Sequence, residues 1–207
     1  METRISLSHP ELFDIAGPDG QGTRGADQDW YPDFWQRRAG CGPTVASVIF
    51  SYLAAVRPEL RPLCPQRAED RQAFTGLMCR VWDYVTPASH GLNRPERMAQ
   101  GMADYAAAAG ISLTSLVFEV PAARTKRPDF AQAAAFVRAG LEEECPVAFL
   151  NLCRGKVKEL DWWHWVTIIA MEGDRVTILD SGREFDIDLA LWYATTKKRG
   201  GFVRVTV

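Results

Sequence analysis

The chain has 207 residues, 47% of them hydrophobic, which is enough to bury the core of one domain. Its 24 basic and 26 acidic residues nearly balance, which argues against a nucleic-acid partner because phosphate binding needs concentrated positive charge. No segment approaches the roughly 18 consecutive apolar residues of a membrane helix, so we expect no membrane association. We interpret the basic run Lys197-Lys198-Arg199 as a solvated turn.

The cysteine content and the N-terminus favour a cytoplasmic protein. The N-terminal residues lack the long apolar stretch of a signal peptide. The five cysteines are an odd number and include no CxxC pair, which is unlike a disulfide framework. Reduced thiols in a cytosol fit this pattern better.

The chain is expected to form an N-terminal arm followed by one domain. Residues 1–35 are rich in Gly, Asp and Pro, which predicts an irregular arm rather than a packed element. No internal repeat or low-complexity linker divides the remainder, so residues 36–207 are predicted to form a single domain. The oligomeric state stays open.

The first half of that domain is predicted to be helical. Apolar residues recur at helical spacing over residues 43–56, where proline suits the first turn. A second helix is predicted within residues 68–84, and a third over residues 95–109, where Gly110 provides a natural end.

The second half favours strands. We predict strands at residues 111–120, 147–152, 165–171, 175–179 and 202–207, and one helix at residues 129–144 with Asp129 as its N-cap. The sequence Glu172-Gly173-Asp174 between two apolar runs predicts a hairpin. A helical first half against a mostly antiparallel sheet is an α+β domain.

Cys41 is the candidate nucleophile. It comes just before the first predicted helix, where the unpaired N–H groups and the positive end of the helix dipole stabilise an anion such as a thiolate. Gly40 and Gly42 on either side would let a substrate carbonyl approach closely. The alternative is that Cys41 is a small buried apolar residue, which is the usual role of a free cysteine. The other cysteines have no comparable setting.

His164 and Asp180 are the candidate base and its orienting acid. His164 opens an apolar strand among several tryptophans, and Asp180 ends the next strand. The hairpin makes them near neighbours, so that Asp180 can accept the imidazole N–H and set the tautomer. The alternatives are a structural histidine and an aspartate that only begins the Asp-Ser-Gly turn.

Four further positions complete the candidate site. Gln36, five residues before Cys41, could donate to an oxyanion together with the Cys41 N–H, or it could be an ordinary polar residue. Trp163 and Trp165, with Gly40, could line the substrate cleft, or the tryptophans could belong to the core.

These residues, taken together, resemble the papain-like superfamily of cysteine peptidases. Gln36, the motif Cys41-Gly-Pro-Thr leading into an apolar helix, His164 opening one strand and Asp180 ending the next are most similar to the bacterial C39-like peptidases. The resemblance covers about residues 36–182. It implies a papain-like fold, with the nucleophile helix packed on an antiparallel sheet. It also implies thiol-dependent cleavage of a peptide or other amide, with no metal or cofactor.

Three other functions stay open. The same triad could transfer the acyl group to an amine instead of to water. The domain could be an inactive relative that binds a peptide in an inherited cleft. A metal site built from Cys145, Cys153 and His164 is a third possibility, although the spacing of these residues matches no zinc pattern.

Overall fold

The computed structural model describes residues 3–18 and 20–206. The helices of this part of the chain are α1 Phe34–Ala39, α2 Cys41–Val56, α3 Arg71–Trp82, α4 Pro95–Ala108, α5 Phe130–Glu142 and α6 Leu189–Thr195. Helices α2 to α5 confirm the four predicted helices with small shifts of their ends, whereas α1 and α6 are new. Asp129 precedes α5 but makes no side-chain cap. None of the helices in the described residues is long and apolar enough to cross a membrane.

The strands form one antiparallel sheet and a separate hairpin. They are β1 Ile5–Ser6, β2 Asp14–Ala16, β3 Gly22–Arg24, β4 Thr114–Val120, β5 Val147–Asn151, β6 His164–Glu172, β7 Arg175–Asp180, β8 Arg183–Asp188 and β9 Gly200–Thr206. The sheet has the order β4-β9-β5-β6-β7-β8, and β1 pairs with β6 where β5 no longer reaches. Strands β2 and β3 form the hairpin. The protein therefore mixes helices with an antiparallel sheet, as predicted.

Helices cover the centre of this sheet. Every residue of β5 is buried, which requires that both faces of the sheet are covered at that strand. Helices α2 and α5 each contact β5 and β6. The N-terminus of α2 lies beside the start of β6 and the end of β7, because Cys41, His164 and Asp180 border the same cavity.

The predicted hairpin of β6 and β7 is confirmed, and it contains a β-bulge that the sequence did not predict. Ala170 stands opposite Thr177, whereas the next pair joins Ile168 to Ile178. Ile169 is therefore an extra residue in β6, and it shifts the pairing of the two strands by one position.

The bulge sets the position of Asp180. Beyond it Thr167 stands opposite Leu179, so the following residue, Asp180, is level with Val166. Side chains alternate between the faces of a strand, and Asp180 therefore projects on the same face as Val166 and His164. With regular pairing from the turn, Asp180 would stand opposite Thr167, on the other face and farther from His164.

The N-terminal segment is packed, which corrects the expectation of an unpacked arm. It contains β1, the β2–β3 hairpin and two short 3-10 helices, Pro10–Phe13 and Gln28–Trp30. Its Gly, Asp and Pro residues form turns, and isolated apolar side chains between them enter the main core. These buried side chains are Leu7, Phe13, Ile15 and Tyr31. The boundary at residue 35 stays a prediction.

Candidate active site

Cys41 is the first residue of α2. Gly40 separates α1 from α2 with φ −83° and ψ 1°, and its lack of a side chain leaves the N-terminus of α2 uncapped. The main-chain N–H groups of the first turn and the positive end of the helix dipole therefore lie near the thiol. Cys41 is partly exposed, so a reagent can reach it.

The glycines on either side of Cys41 are sites of close packing. A Cβ atom at Gly42 would lie 2.6 Å from Cδ2 of Leu92, and one at Gly40 would lie 2.6 Å from Cε2 of Tyr31. Both glycines are buried. Packing therefore accounts for glycine at both positions, and a role of Gly40 in binding substrate stays a prediction.

His164 and Asp180 come together as the hairpin predicts. Nε2 of His164 lies 2.7 Å from Oδ1 of Asp180, so the carboxylate can accept the Nε2–H. Only 14% of the His164 side chain and 7% of the Asp180 side chain are exposed. The hydroxyl of Ser181 donates a second hydrogen bond, at 2.9 Å, to the same Oδ1. This contact leaves Nδ1 of His164 available to the thiol of Cys41.

The electrostatics favour a charged imidazole. Burial opposes a charge on His164, but hydrogen bonds and electrostatic interactions with Asp180 and Cys41 outweigh it and raise the pKa of His164 well above its usual range. Burial would raise the pKa of Asp180, but the hydrogen bond and positive charge of His164 outweigh that effect and lower it. The pair is thus an ion pair that Cys41 joins from the other side of the ring.

The cavity between these groups is too small for a substrate. Cys41, His164 and Asp180 border a cavity of ≈ 20 Å³ between α2 and the sheet. A single water molecule needs about 10–15 Å³, so this space suits roughly one water. A peptide would have to approach from the outer side, where Cys41 is partly exposed.

The structure separates the predicted amide donor from this cavity and brings another glutamine to it. Gln36 lies on α1 and is not among the residues that border the cavity, whereas Gln28 borders it beside Cys41. Nε2 of Gln28 donates to the carbonyl of Arg37 at 2.8 Å. Its Oε1 is buried and has no hydrogen-bond partner among the described residues. Gln36 lies on α1 one turn before Gly40, and its role as an oxyanion donor stays a prediction.

Two tryptophans next to His164 have different environments. Trp163 is 40% exposed, and its Nε1–H donates to the carbonyl of His90 at 2.9 Å. Trp165 is only 2% exposed, and its Nε1–H donates to the carbonyl of Leu92 at 2.5 Å. Trp165 is therefore a core residue that borders the small cavity behind Cys41, and its role in binding substrate stays a prediction. Trp163 lies at the surface beside the site.

The other cysteines do not form an alternative site. None of the five cysteines, all of which the structure describes, forms a disulfide. Burial raises the pKa of the Cys145 thiol to about 11 and also raises the pKa values of Cys64 and Cys79. Among residues 3–18 and 20–206, no three His, Cys, Asp or Glu side chains form a group that could hold a metal ion. Cys145, Cys153 and His164 therefore do not form the alternative metal site.

Comparisons with known proteins find little similarity in sequence. No protein-family model matches the chain. No curated protein matches it. Among solved structures, the chain is similar to the crystal structure of the Pseudomonas avirulence protein AvrPphB, with 14% sequence identity and a TM-score of 0.36. The match covers 79% of this chain and 91% of the other.

Proposed function

We propose that this protein is a thiol-dependent hydrolase of peptide or other amide bonds, with a papain-like fold most similar to that of the C39-like peptidases. The observation that supports it best is the position of His164, which lies between Asp180 and the thiol of Cys41 at the N-terminus of α2. A nucleophile, a base within hydrogen-bonding reach and a carboxylate that orients the base are the parts that covalent catalysis by a thiol requires.

The reaction would proceed in two stages. The charged imidazole is the form in which Nδ1 of His164 already holds the proton of Cys41. The thiolate then attacks the substrate carbonyl carbon, and the C–N bond breaks while His164 gives that proton to the leaving nitrogen. Water then attacks the thioester and gives a proton to His164, and the C–S bond breaks to release the carboxylic acid. His164 keeps this proton or returns it to sulfur, which restores the starting state. Asp180 keeps Nε2 protonated throughout, which holds Nδ1 toward sulfur.

Two N–H groups would stabilise the oxyanion. The first is the main-chain N–H of Cys41, which lies in the uncapped first turn of α2. The second is Nε2 of Gln28, which has one hydrogen committed to Arg37 and a second hydrogen for the substrate oxygen. We assign this role to Gln28 in place of Gln36 because Gln28 borders the cavity beside Cys41.

The proposal is tested by replacing the nucleophile. The native protein, Cys41→Ala and the matched control Cys79→Ala are incubated with iodoacetamide and, separately, with fluorescent casein and a mixed peptide library. We expect the most reactive thiol and all hydrolysis to disappear in Cys41→Ala and to persist in Cys79→Ala, since Cys79 lies on α3 and burial raises its pKa. Unchanged labelling and hydrolysis in Cys41→Ala would exclude this function.

A further inference from the structure

A concave pocket of ≈ 400 Å³ lies beside the candidate active site, and basic side chains dominate it. Four cationic residues border it together with Asn93 and Trp163, and no carboxylate is among the described residues that do so. The cationic residues are Arg94, Lys197, Lys198 and Arg199. We call this site the basic pocket. Its charge contrasts with the balanced charge of the whole chain.

The cations of the basic pocket have no ionic partner in the described part of the chain. The ion pairs found there involve other basic residues, such as Arg24 and Arg204, and none involves Arg94, Lys198 or Arg199. Lys198 instead places its Nζ 4.7 Å from the centre of the Trp163 ring. Unpaired cations held close together in a concave site raise the local concentration of anions.

The backbone around these cations is firmly held. The hydroxyl of Thr196 donates to the carbonyl of Cys153 at 2.9 Å, and the N–H of Lys197 donates to Sγ of Cys153 at 3.5 Å. Gly200 fits so tightly that a Cβ atom there would lie 2.8 Å from the Trp192 ring. On the opposite side, Arg94 precedes α4, whose N-terminus no side chain caps, so the helix dipole adds to the positive potential. The backbone that carries the basic residues is thus held in place by hydrogen bonds and close packing.

The basic pocket is within reach of a substrate bound at Cys41. Gly200 stands opposite Asn151, and Asn151 stands opposite His164, so three adjacent strands place the basic segment in one row with the base. Strands lie about 4.8 Å apart, which puts Gly200 about 10 Å from His164. An extended peptide covers that distance in about three residues.

The loop of residues 90–94 connects the two sites along another path. Leu92 packs on Gly42, next to Cys41, and its carbonyl accepts the indole N–H of Trp165. The following two residues, Asn93 and Arg94, border the basic pocket. A chain that leaves the nucleophile along this loop would therefore meet the cations directly.

We propose that the basic pocket binds the carboxylate of an aspartate or glutamate in a peptide substrate, about two or three residues from the bond that Cys41 attacks. This proposal rests on the proposed function, since it gives that site a substrate class. Acidic peptides fit because several unpaired cations face a pocket without a carboxylate, and because Trp163 offers a flat apolar wall to the methylene groups of the side chain.

The test measures how fast Cys41 is modified by peptides with a central epoxide electrophile. Each peptide carries glutamate at one position, two or three residues to either side of the epoxide, and a matched peptide carries glutamine there. At the best position we expect glutamate to react about fivefold faster than glutamine at low ionic strength. The ratio should fall as salt is added, because the cations are exposed.

Two double variants locate the effect. In Lys198→Gln/Arg199→Gln the ratio of the two rates should fall to about one. In the matched control Arg4→Gln/Arg175→Gln, which removes the same charge from exposed positions at the other end of the sheet, the ratio should persist.

Each contrary result has a distinct meaning. Equal rates for glutamate and glutamine at every position, with Cys41 still modified, would overturn this proposal and leave the proposed function standing. A preference that survives in Lys198→Gln/Arg199→Gln would also overturn it. If no peptide modifies Cys41, the proposed function fails, and this inference fails with it.

Discussion

The main-chain N–H of Leu7 donates to the carbonyl oxygen of Ile169 at 3.1 Å. Ile169 is the extra residue of the bulge in β6, and β1 runs beside the next residue, Ala170. The N-terminal segment therefore contacts Ile169, the extra residue that brings Asp180 level with Val166 and next to His164. A segment remote from Cys41 in sequence thus supports the candidate active site through the backbone of the sheet.

Replacing Leu7 tests this link. Leu7→Pro removes the N–H, so the bulge should loosen and the pKa of His164 should fall toward its usual range as its contact with Asp180 weakens. Leu7→Ala keeps the N–H and should only lower the free energy of unfolding, by about 2–5 kcal/mol. NMR titration of the His164 ring and urea unfolding measure both effects. A similar pKa shift in the two variants would mean that the packing of Leu7 matters instead of its hydrogen bond.

The stability of the protein should depend on pH through the His164–Asp180 pair. Because its pKa is raised, His164 contributes stability that is complete below its unfolded pKa of about 6.5 and is lost as pH rises through the folded value. Because its pKa is lowered, Asp180 contributes stability that is complete above about 3.9 and is lost as pH falls through the folded value. Both contributions are therefore complete between about pH 4 and pH 6.5.

Asp180→Asn measures this contribution. The variant should be less stable than the native protein by about 2 kcal/mol between roughly pH 4 and pH 6.5, and the difference should shrink on either side. Urea unfolding over a pH series gives the comparison. Asp174→Asn, an exposed change at the hairpin turn, is the control and should follow the native protein throughout. A difference that stays constant with pH would contradict the linkage.

The two glutamines can be distinguished kinetically. Gln28→Ala should lower kcat for amide hydrolysis by about 10²–10³, as expected for loss of one oxyanion donor. Alkylation of Cys41 by iodoacetamide should change little, because that displacement develops no carbonyl oxyanion. Gln36→Ala should cause the smaller loss in kcat. A larger loss in Gln36→Ala would restore the assignment made from sequence proximity.

Two glycines should respond to alanine with opposite signs. Gly42→Ala should destabilise the protein by about 1–3 kcal/mol, because its Cβ would lie 2.6 Å from Cδ2 of Leu92. Gly76→Ala should stabilise it by about 0.5–1 kcal/mol, because Gly76 lies within α3 and its nearest neighbour, an Arg80 nitrogen, is 3.7 Å away. Thermal unfolding of both variants gives the sign. Destabilisation by both would mean that α3 is packed more tightly at Gly76 than these distances indicate.

Local patterns in the sequence predict the elements that carry the site. The apolar spacing after Pro43 is enough to predict that Cys41 lies at the start of a helix. Two apolar runs around a glycine turn are enough to predict the β6–β7 hairpin. The bulge at Ile169 has no such signal. Nearly every residue of β6 is buried, so its apolar run lacks the alternation that would reveal an extra residue.

Tertiary contacts explain the other differences between sequence and structure. Gln28 borders the cavity because the chain turns back through α1, which no local pattern indicates. The composition of residues 1–35 predicts turns correctly. It does not reveal that isolated apolar residues, such as Phe13 and Ile15, pack this segment against the core. Strand β8 carries several charged residues, so its sequence does not indicate a strand, and it is stabilised by pairing with β7.

The bulge in β6 also determines where a related protein would carry its acid. With the same turn and regular pairing, the position level with Val166 would fall one residue later, at the place that Ser181 occupies here. A relative with the same number of residues from histidine to turn but regular pairing would therefore need its carboxylate one residue later. A relative that lacks the extra residue itself would make the same contact with an interval one residue shorter. The number of residues between the histidine and the aspartate is thus a poor criterion for identifying related proteins. A sequence alignment that requires a constant interval would miss proteins in which the two side chains have the same geometry.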